Sequence, residues 1–176
     1  MNTFCIRTLR RDDACRLLEF EKKNRQWFEQ HIEARSAAFY SPGGVQEHID
    51  LFLEAHAQGR FHPCVIVEGD GTIIGRANLK DIDQRAGTAE IGYRIAESHA
   101  GNGLATDAVR FLIELARGEW QLGQLHAYVA YKNTASIRVL EKCSFTRREF
   151  FESVAVVASV PVNGYGFSID LRSISC

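Results

Sequence analysis

Residues 100–106, Ala-Gly-Asn-Gly-Leu-Ala-Thr, separate an apolar strand-like run (Ala89 to Ala96) from a stretch whose apolar residues recur at helical spacing (Leu104 to Arg117). In that stretch Leu104, Ala108, Leu112 and Leu115 share one face, and Asp107, Arg110, Glu114 and Arg117 share another. A glycine-rich turn that opens a helix leaves several backbone N–H groups without partners. Those donors and the positive end of the helix dipole together favour a phosphate. The centre of the chain therefore reads as strand, phosphate-binding turn and helix.

The rest of the chain places this unit in a mixed α/β order. Phe4 to Leu9 reads as a strand, and Asp12 or Asp13 as the cap of a helix carrying Leu17, Leu18 and Phe20. A second helical stretch runs from Asn24 to Arg35, and Ser41 to Gly44 reads as a loop. A further helix carries Val45, Ile49, Phe52, Leu53 and His56 up to a terminal Gly59. Cys64–Val67 and Ile73–Leu79 flank Gly69-Asp70-Gly71, a hairpin signal, and a loop from Asp81 to Gly87 follows. After the central helix come a strand over Leu125–Ala130, a helix over Ala135–Lys142, and two strands near Arg148–Val156 and Tyr165–Leu171.

Bulk properties narrow the function classes. With 176 residues, 45% hydrophobic and 24% charged, the chain has the size of one domain and can bury a core. A net charge of −1 without blocks of like charge gives no footprint for nucleic acid or an anionic membrane, so cations for a phosphate must be local. Five cysteines without a C-x-x-C pair, and six scattered histidines, point to free thiols, no metal and a reducing cytoplasm. No signal-peptide core or membrane-spanning apolar run is expected.

Three architectures use a glycine turn of this kind. A Walker A loop requires Gly-Lys-Ser/Thr, but Gly103 is followed by Leu104-Ala105. A Rossmann turn requires an early βαβ unit and a third small residue, which Gly101-x-Gly103-x-x-Thr106, in mid-chain, does not supply. The third carries a second motif downstream. Asn133-Thr134-Ala135-Ser136, a helix and Ser144-Phe145 follow the turn by about thirty residues. Ala89-Glu90-Ile91-Gly92-Tyr93, Asn24-Arg25-Gln26-Trp27-Phe28 and Val162-Asn163-Gly164 complete the pattern. In these features the chain resembles the GCN5-related N-acetyltransferases (GNAT), in particular the branch that acetylates N-terminal amines of ribosomal proteins.

The resemblance implies one N-acetyltransferase domain over residues 1–176. It also implies a central, mostly antiparallel, twisted mixed sheet, a splay between its two central strands, and helices on both faces. It implies acetyl-CoA as co-substrate, with direct transfer of the acetyl group to a primary amine, most simply a protein N-terminal α-amine. The cofactor would meet Ala100, Gly101, Asn102, Gly103, Leu104, Ala105 and Thr106 in the turn, and Tyr93, Arg94 and Ile95 on the splayed strand. Asn133 and Ser136 would meet it on the second motif, acting also in catalysis. Glu90 is the candidate base, direct or through water, and binds the amine. Trp27 and Phe28 are candidates for the acceptor pocket.

The base has little to do for such an acceptor. An α-amine with a pKa near 7.7–8.0 is about 10% neutral at pH 7, whereas a lysine is neutral to only a few parts in ten thousand. Three positions depart from the family pattern, one of them Ser144, which stands where the family has the glycine before Phe145. Ala100 stands where the family has Arg or Gln, so its contribution should be a backbone N–H. Leu140 stands where many members have the tyrosine that protonates the leaving thiolate, so Ser136 is expected to help there.

Other residues stay open at this level. Lys132, Arg138, Lys142 and Arg147 are candidates for the remaining CoA phosphate. Cys143 lacks a neighbouring base and reads as a small buried hydrophobe. His31, His56, His99 and His126 have no partner pattern. Two other functions fit the same motifs: acetylation of a small amine (polyamine, aminoglycoside or amino acid), and a non-catalytic acetyl-CoA sensor. A monomer or a homodimer is equally compatible.

Overall fold

Seven strands form one sheet in the computed structural model, which describes residues 4–173. They are β1 (Phe4–Thr8), β2 (His62–Glu68), β3 (Ile73–Asp83), β4 (Thr88–Ile95), β5 (Gln124–Ala130), β6 (Thr146–Val157) and β7 (Val160–Asp170), in the spatial order β1-β2-β3-β4-β5-β7-β6. Every neighbouring pair is antiparallel except β4 and β5.

That parallel pair is short. Thr88 faces Gln124, Ala89 faces Leu125 and Glu90 faces His126, and the ladder stops there. β4 stays paired with β3 as far as Ile95, opposite Gly75, and β5 stays paired with β7 as far as Ala130, opposite Gly164. Beyond Glu90 and His126 the two central strands diverge, each held only on its outer side. The expected splay is present, and the edge of β4 over residues 91–95 faces a gap.

The helices are α1 (Ala14–Lys23), α2 (Arg25–Phe28), α3 (Pro42–Ala57), α4 (Leu104–Gly118) and α5 (Thr134–Lys142). The alternation of strand side chains sends successive residues into two different cores. Val65, Val67 and Ile73 join Leu17, Phe20, Phe28, Val45 and Ile49 under α1–α3. Ile66, Ala77, Leu79 and Ile91 join Ala108, Val109, Leu112, Ile137 and Leu140 under α4 and α5. Asn24, only 4% exposed, ties the first layer to the central turn: its amide donates to the Phe20 carbonyl and accepts from the Glu97 amide, both at 2.9 Å.

Several boundaries differ from expectation. Asp13 does not cap α1 with its side chain. Its carboxylate takes the Arg7 guanidinium at 2.6 Å and the Arg10 amide at 2.8 Å, leaving Asp13 1% exposed. The helix expected over residues 24–35 ends at Phe28. Beyond it, tertiary contacts replace the helical ladder: Glu33 accepts the Ser159 amide at 3.1 Å, and the Arg35 guanidinium lies 4.1 Å from the Phe39 ring centroid.

Residues 42–44, expected to be loop, form the first turn of α3. Proline fits the first helical position, and Ser41 caps the turn by accepting the Gly44 amide at 3.0 Å. Gly44 is required there, because a Cβ would stand 2.1 Å from the Ala38 carbonyl oxygen. β3 extends to Asp83, into the expected loop. Leu115 is partly buried, and Val109, Ile113 and Ala116 complete the buried face of α4 instead. The last two strands are longer than expected and form one hairpin, so residues 162–164, which precede the expected strand, lie within β7.

Candidate active site

The glycine turn is built as a donor cradle. Gly101 and Gly103 have φ of +81° and +84°, in the left-handed region that glycine enters without strain. A Cβ at either would meet nothing within 4 Å, so the space above them is open. The Ala100 amide donates to the Glu97 carbonyl at 3.1 Å, and the Thr106 and Asp107 amides donate to the Gly103 carbonyl at 2.8 and 3.1 Å. The amides of residues 101–105 have no acceptor among the described residues. Thus the free set starts at Gly101. The backbone N–H expected from Ala100, and that of Thr106, are already engaged.

The turn forms one end of a cavity of about 520 Å³. Of the residues expected to meet the cofactor, Tyr93, Arg94, Ile95, Ala100, Gly101, Gly103, Ala105, Thr106, Asn133 and Ser136 line it. Asn102 and Leu104 do not, and the Leu104 side chain is buried in the core. Trp27 and Phe28 line it as well. The wall also takes in polar residues that the sequence reading did not assign, among them His31, Arg76, Asn78 and Lys80. The cue for three of them is the period-2 run Arg76-x-Asn78-x-Lys80, with Ala77 and Leu79 between, which puts three polar side chains on one face.

Glu90 is not in the cavity wall. It is the cross-strand neighbour of Lys80, and its carboxylate meets the Lys80 ammonium. Trp27 is more than an apolar surface: its indole N–H donates to the Ile95 carbonyl at 3.2 Å. One of the strand groups expected to face the cofactor is therefore already bonded. Asn133 caps α5, accepting the Ser136 amide on its side-chain oxygen at 3.1 Å.

The Tyr93 side chain brings a phenol that Leu140 does not supply. Its hydroxyl is buried without a well-formed hydrogen bond, beside Ser136. Burial pushes the phenol up to about 12, and the neighbouring Ser136 side chain offsets this only in part. Tyr93 therefore keeps its proton throughout the physiological range. Cys143 is buried outside the cavity, with its thiol 3.7 Å from the Thr106 carbonyl and pushed above the usual thiol range by burial.

The cations divide by position. Of the four candidates for a CoA phosphate, Arg138 and Lys142 line the cavity. Arg147 instead pairs with Glu141 at 3.0 Å and stacks on Tyr165, while Lys132 lies over the Tyr131 ring. At the other end, under α1–α3, Glu21 is 1% exposed and holds Arg76 at 2.8 Å and Arg94 at 3.2 Å. Burial raises the Glu21 carboxyl, but Arg94 and Arg76 outweigh it and the net shift is downward.

A separate cluster lies at α3 and the end of α4. His56, His62 and Glu119 place ligand-type atoms within 4.8 Å of one another. Both ring nitrogens of His62 are occupied, Nδ1 by the Trp120 indole N–H at 2.8 Å and Nε2 by the Thr8 hydroxyl at 2.9 Å. His62 therefore has no ring nitrogen left for a further ligand in this arrangement. No helix among the described residues is long and apolar enough to cross a membrane.

Known proteins share this fold. The profile of the acetyltransferase (GNAT) domain matches residues 3–146. YjcK of Bacillus subtilis, named a probable N-acetyltransferase, is 33% identical over 145 residues, covering 81% of this chain and 80% of YjcK. The ribosomal-protein-S5-alanine acetyltransferase of Vibrio fischeri superposes with a TM-score of 0.92 at 19% identity, covering 100% of this chain and 97% of the other. RimJ of Mycobacterium smegmatis, solved in complex with CoA-disulfide, gives 0.92 at 20% identity, covering 99% and 85%. The last two show the fold. The profile, which spans most of the chain, and the relative in Bacillus show the lineage, and the chain belongs to the GNAT family of N-acetyltransferases.

Proposed function

We propose that this acetyltransferase takes acetyl-CoA as donor and a protein N-terminal α-amine as acceptor. One observation carries the choice of amine. None of the described residues that line the cavity is Asp or Glu, whereas Arg76, Lys80, Arg94, Arg138 and Lys142 all line it. A wall without a carboxylate suits an amine that is already partly neutral at pH 7, which an α-amine is and a lysine is not. The same wall repels a polyamine. The acceptor of the Vibrio fischeri protein, an alanine of ribosomal protein S5, belongs to this class.

The residues fit the donor. The free amides of residues 101–105 suit its diphosphate, and Arg138 and Lys142 suit its remaining phosphate. The open edge of β4 over residues 91–95 suits the amides of the pantetheine arm, with Ile95 already holding Trp27. Bound there, acetyl-CoA supplies an activated thioester.

Tyr93 gives its proton to the departing sulfur, with Ser136 beside it to orient the hydroxyl. Asn133 holds the start of α5 so that Ser136 stays at the gap. Glu90 fixes Lys80, and the acceptor amine loses its proton to water. A direct base role for Glu90 would require it to leave Lys80.

The test is to incubate the full chain with acetyl-CoA and N-terminal peptides, Nα-blocked lysine or spermidine, and to follow free thiol. The α-amine peptides release thiol at least tenfold faster than the others. Faster release with spermidine or blocked lysine would refute the assignment.

A further inference from the structure

The sheet face under α1–α3 holds more positive charge than it neutralises. Arg76 and Lys80 from β3, Arg94 from β4 and Arg35 after α2 meet two carboxylates, Glu21 and Glu90. Four cations against two anions leave an excess of two. Neighbouring groups do not supply the balance. His48 accepts from Arg76 at 3.1 Å and is held neutral, Arg25 and Glu29 pair with each other, and Glu33, though charged, is exposed and turned to the Ser159 amide. Arg76 is 2% exposed, and its Nε is buried without a hydrogen-bond partner. Arg76 has Glu21 as its partner, but Arg94 shares that same carboxylate while 24% exposed to the cavity side, so a further anion beside them is favoured by charge. Arg76, Arg94 and Lys80 line the cavity, so an anion that enters it has access to them.

Resting on the α-amine reading above, we propose that the acceptor carries an anionic group close to its amine, and that Arg94 and Lys80 receive it with Arg76 behind them. Successive residues on β4 point to opposite faces. The Tyr93 hydroxyl lies toward α5 on one side of the sheet, while Arg94 meets Glu21 of α1 on the other. An acceptor that reaches the gap from the α1–α3 side passes Arg94 and Lys80 first. At about 3.3–3.6 Å per extended residue, an acidic side chain at the second or third position of a peptide falls beside them. A free amino acid would offer its own carboxylate, which is the same chemistry from a second source. Guanidinium groups suit a carboxylate because they bind it with two parallel hydrogen bonds.

The experiment compares peptides beginning Ala-Asp-Asp, Ala-Ser-Ser and Ala-Lys-Lys, together with free alanine, on the full chain. The ratio of kcat/KM for Ala-Asp-Asp over Ala-Lys-Lys is at least 10 at low salt and narrows at 0.5 M salt, where exposed charges are screened. Alanine turned over as well as the acidic peptide identifies the α-carboxylate as the source. Arg94→Glu brings the ratio to 1 or below, and Lys80→Glu does the same if the first variant fails to fold. Equal turnover of the acidic and basic peptides by the wild-type chain overturns the anion proposal and leaves the α-amine reading intact. If no amine releases thiol, that reading fails. Calorimetry with N-acetylated product peptides and CoA then reads the charge preference by itself, and equal affinity for the acidic and basic products overturns the proposal.

Discussion

The Trp27 indole N–H donates to the Ile95 carbonyl at 3.2 Å, tying a four-residue helix to the last residue of the splayed strand. The link crosses 68 positions of sequence and closes one side of the cavity. Trp27→Phe keeps an aromatic ring and removes the donor. We expect about 1 kcal/mol lower stability, the usual value of one hydrogen bond, and a raised acceptor KM. Urea unfolding and steady-state kinetics read both, and an unchanged KM would separate the bond from acceptor binding.

Tyr93→Phe removes a buried hydroxyl that has no well-formed partner of its own. Stability should therefore hold or rise slightly, while kcat falls by about 100-fold, as for loss of a general acid. Dissociation of CoA should change by less than about threefold, because the ring remains and no charge is lost. Ser136→Ala should lower kcat less than Tyr93→Phe does. A fall in CoA affinity with kcat unchanged at saturation would assign both hydroxyls to binding.

Gly103 caps α4 at φ +84°. Gly103→Ala forces an L-residue into that region at roughly 1–2 kcal/mol. Since a Cβ there meets nothing within 4 Å in the protein, the loss of CoA affinity should exceed the loss of stability. Calorimetric titration with CoA beside thermal unfolding decides it.

Glu90→Gln keeps the shape and removes the charge opposite Lys80. If water accepts the proton, kcat/KM drops less than about tenfold and the pH profile keeps its position. The loss expected for a general base is about 10²–10⁴-fold. A loss of that size with a displaced acidic limb restores Glu90 to the base role.

Burial lowers His62 to about 4, with His56 adding to the effect, and lowers His48 to about 2. The unfolded chain binds these protons near pH 6.5, before the folded chain does. Stability is therefore full above pH 6.5 and is lost as pH falls toward 4, by about 3 kcal/mol for His62. The lowered carboxylates Asp13 and Glu21 contribute above the unfolded carboxylate range and lose their effect only below about pH 4. The urea midpoint should thus fall between pH 7 and 5. A flat midpoint across that window would contradict the assignment.

The parts legible in the sequence were those fixed by neighbours along the chain. Gly101, Gly103 and the apolar face of α4 need only local backbone geometry and helical spacing, and Asn133 needs only a helix start three residues before Ser136. What escaped depends on which strand face meets which helix. Arg76, Arg94 and Glu21 come from three distant elements, and their cluster follows from the β3–β4 register together with the packing of α1. The sequence puts Glu90 on its strand, but its partner across the ladder, Lys80, is set by the β3–β4 register. The strand position of Tyr93 speaks only for its backbone, and it is the packing of α5 that brings its hydroxyl beside Ser136. Ser41–Gly44 has loop composition, yet proline at the first turn and a close approach to Ala38 make it a helix start.

Three registered residue pairs are all that join β4 to β5. As a ladder, the sheet is two plates, four strands and three strands, hinged along one short seam. A molecule lodged beyond the seam, held by the edge of β4 on one plate and by the start of α5 on the other, acts as a clasp across it. Its binding energy then adds to the resistance of both plates to opening. Amides flanking the gap, on β4 and β5, should be the ones whose hydrogen exchange slows most when the clasp is in place.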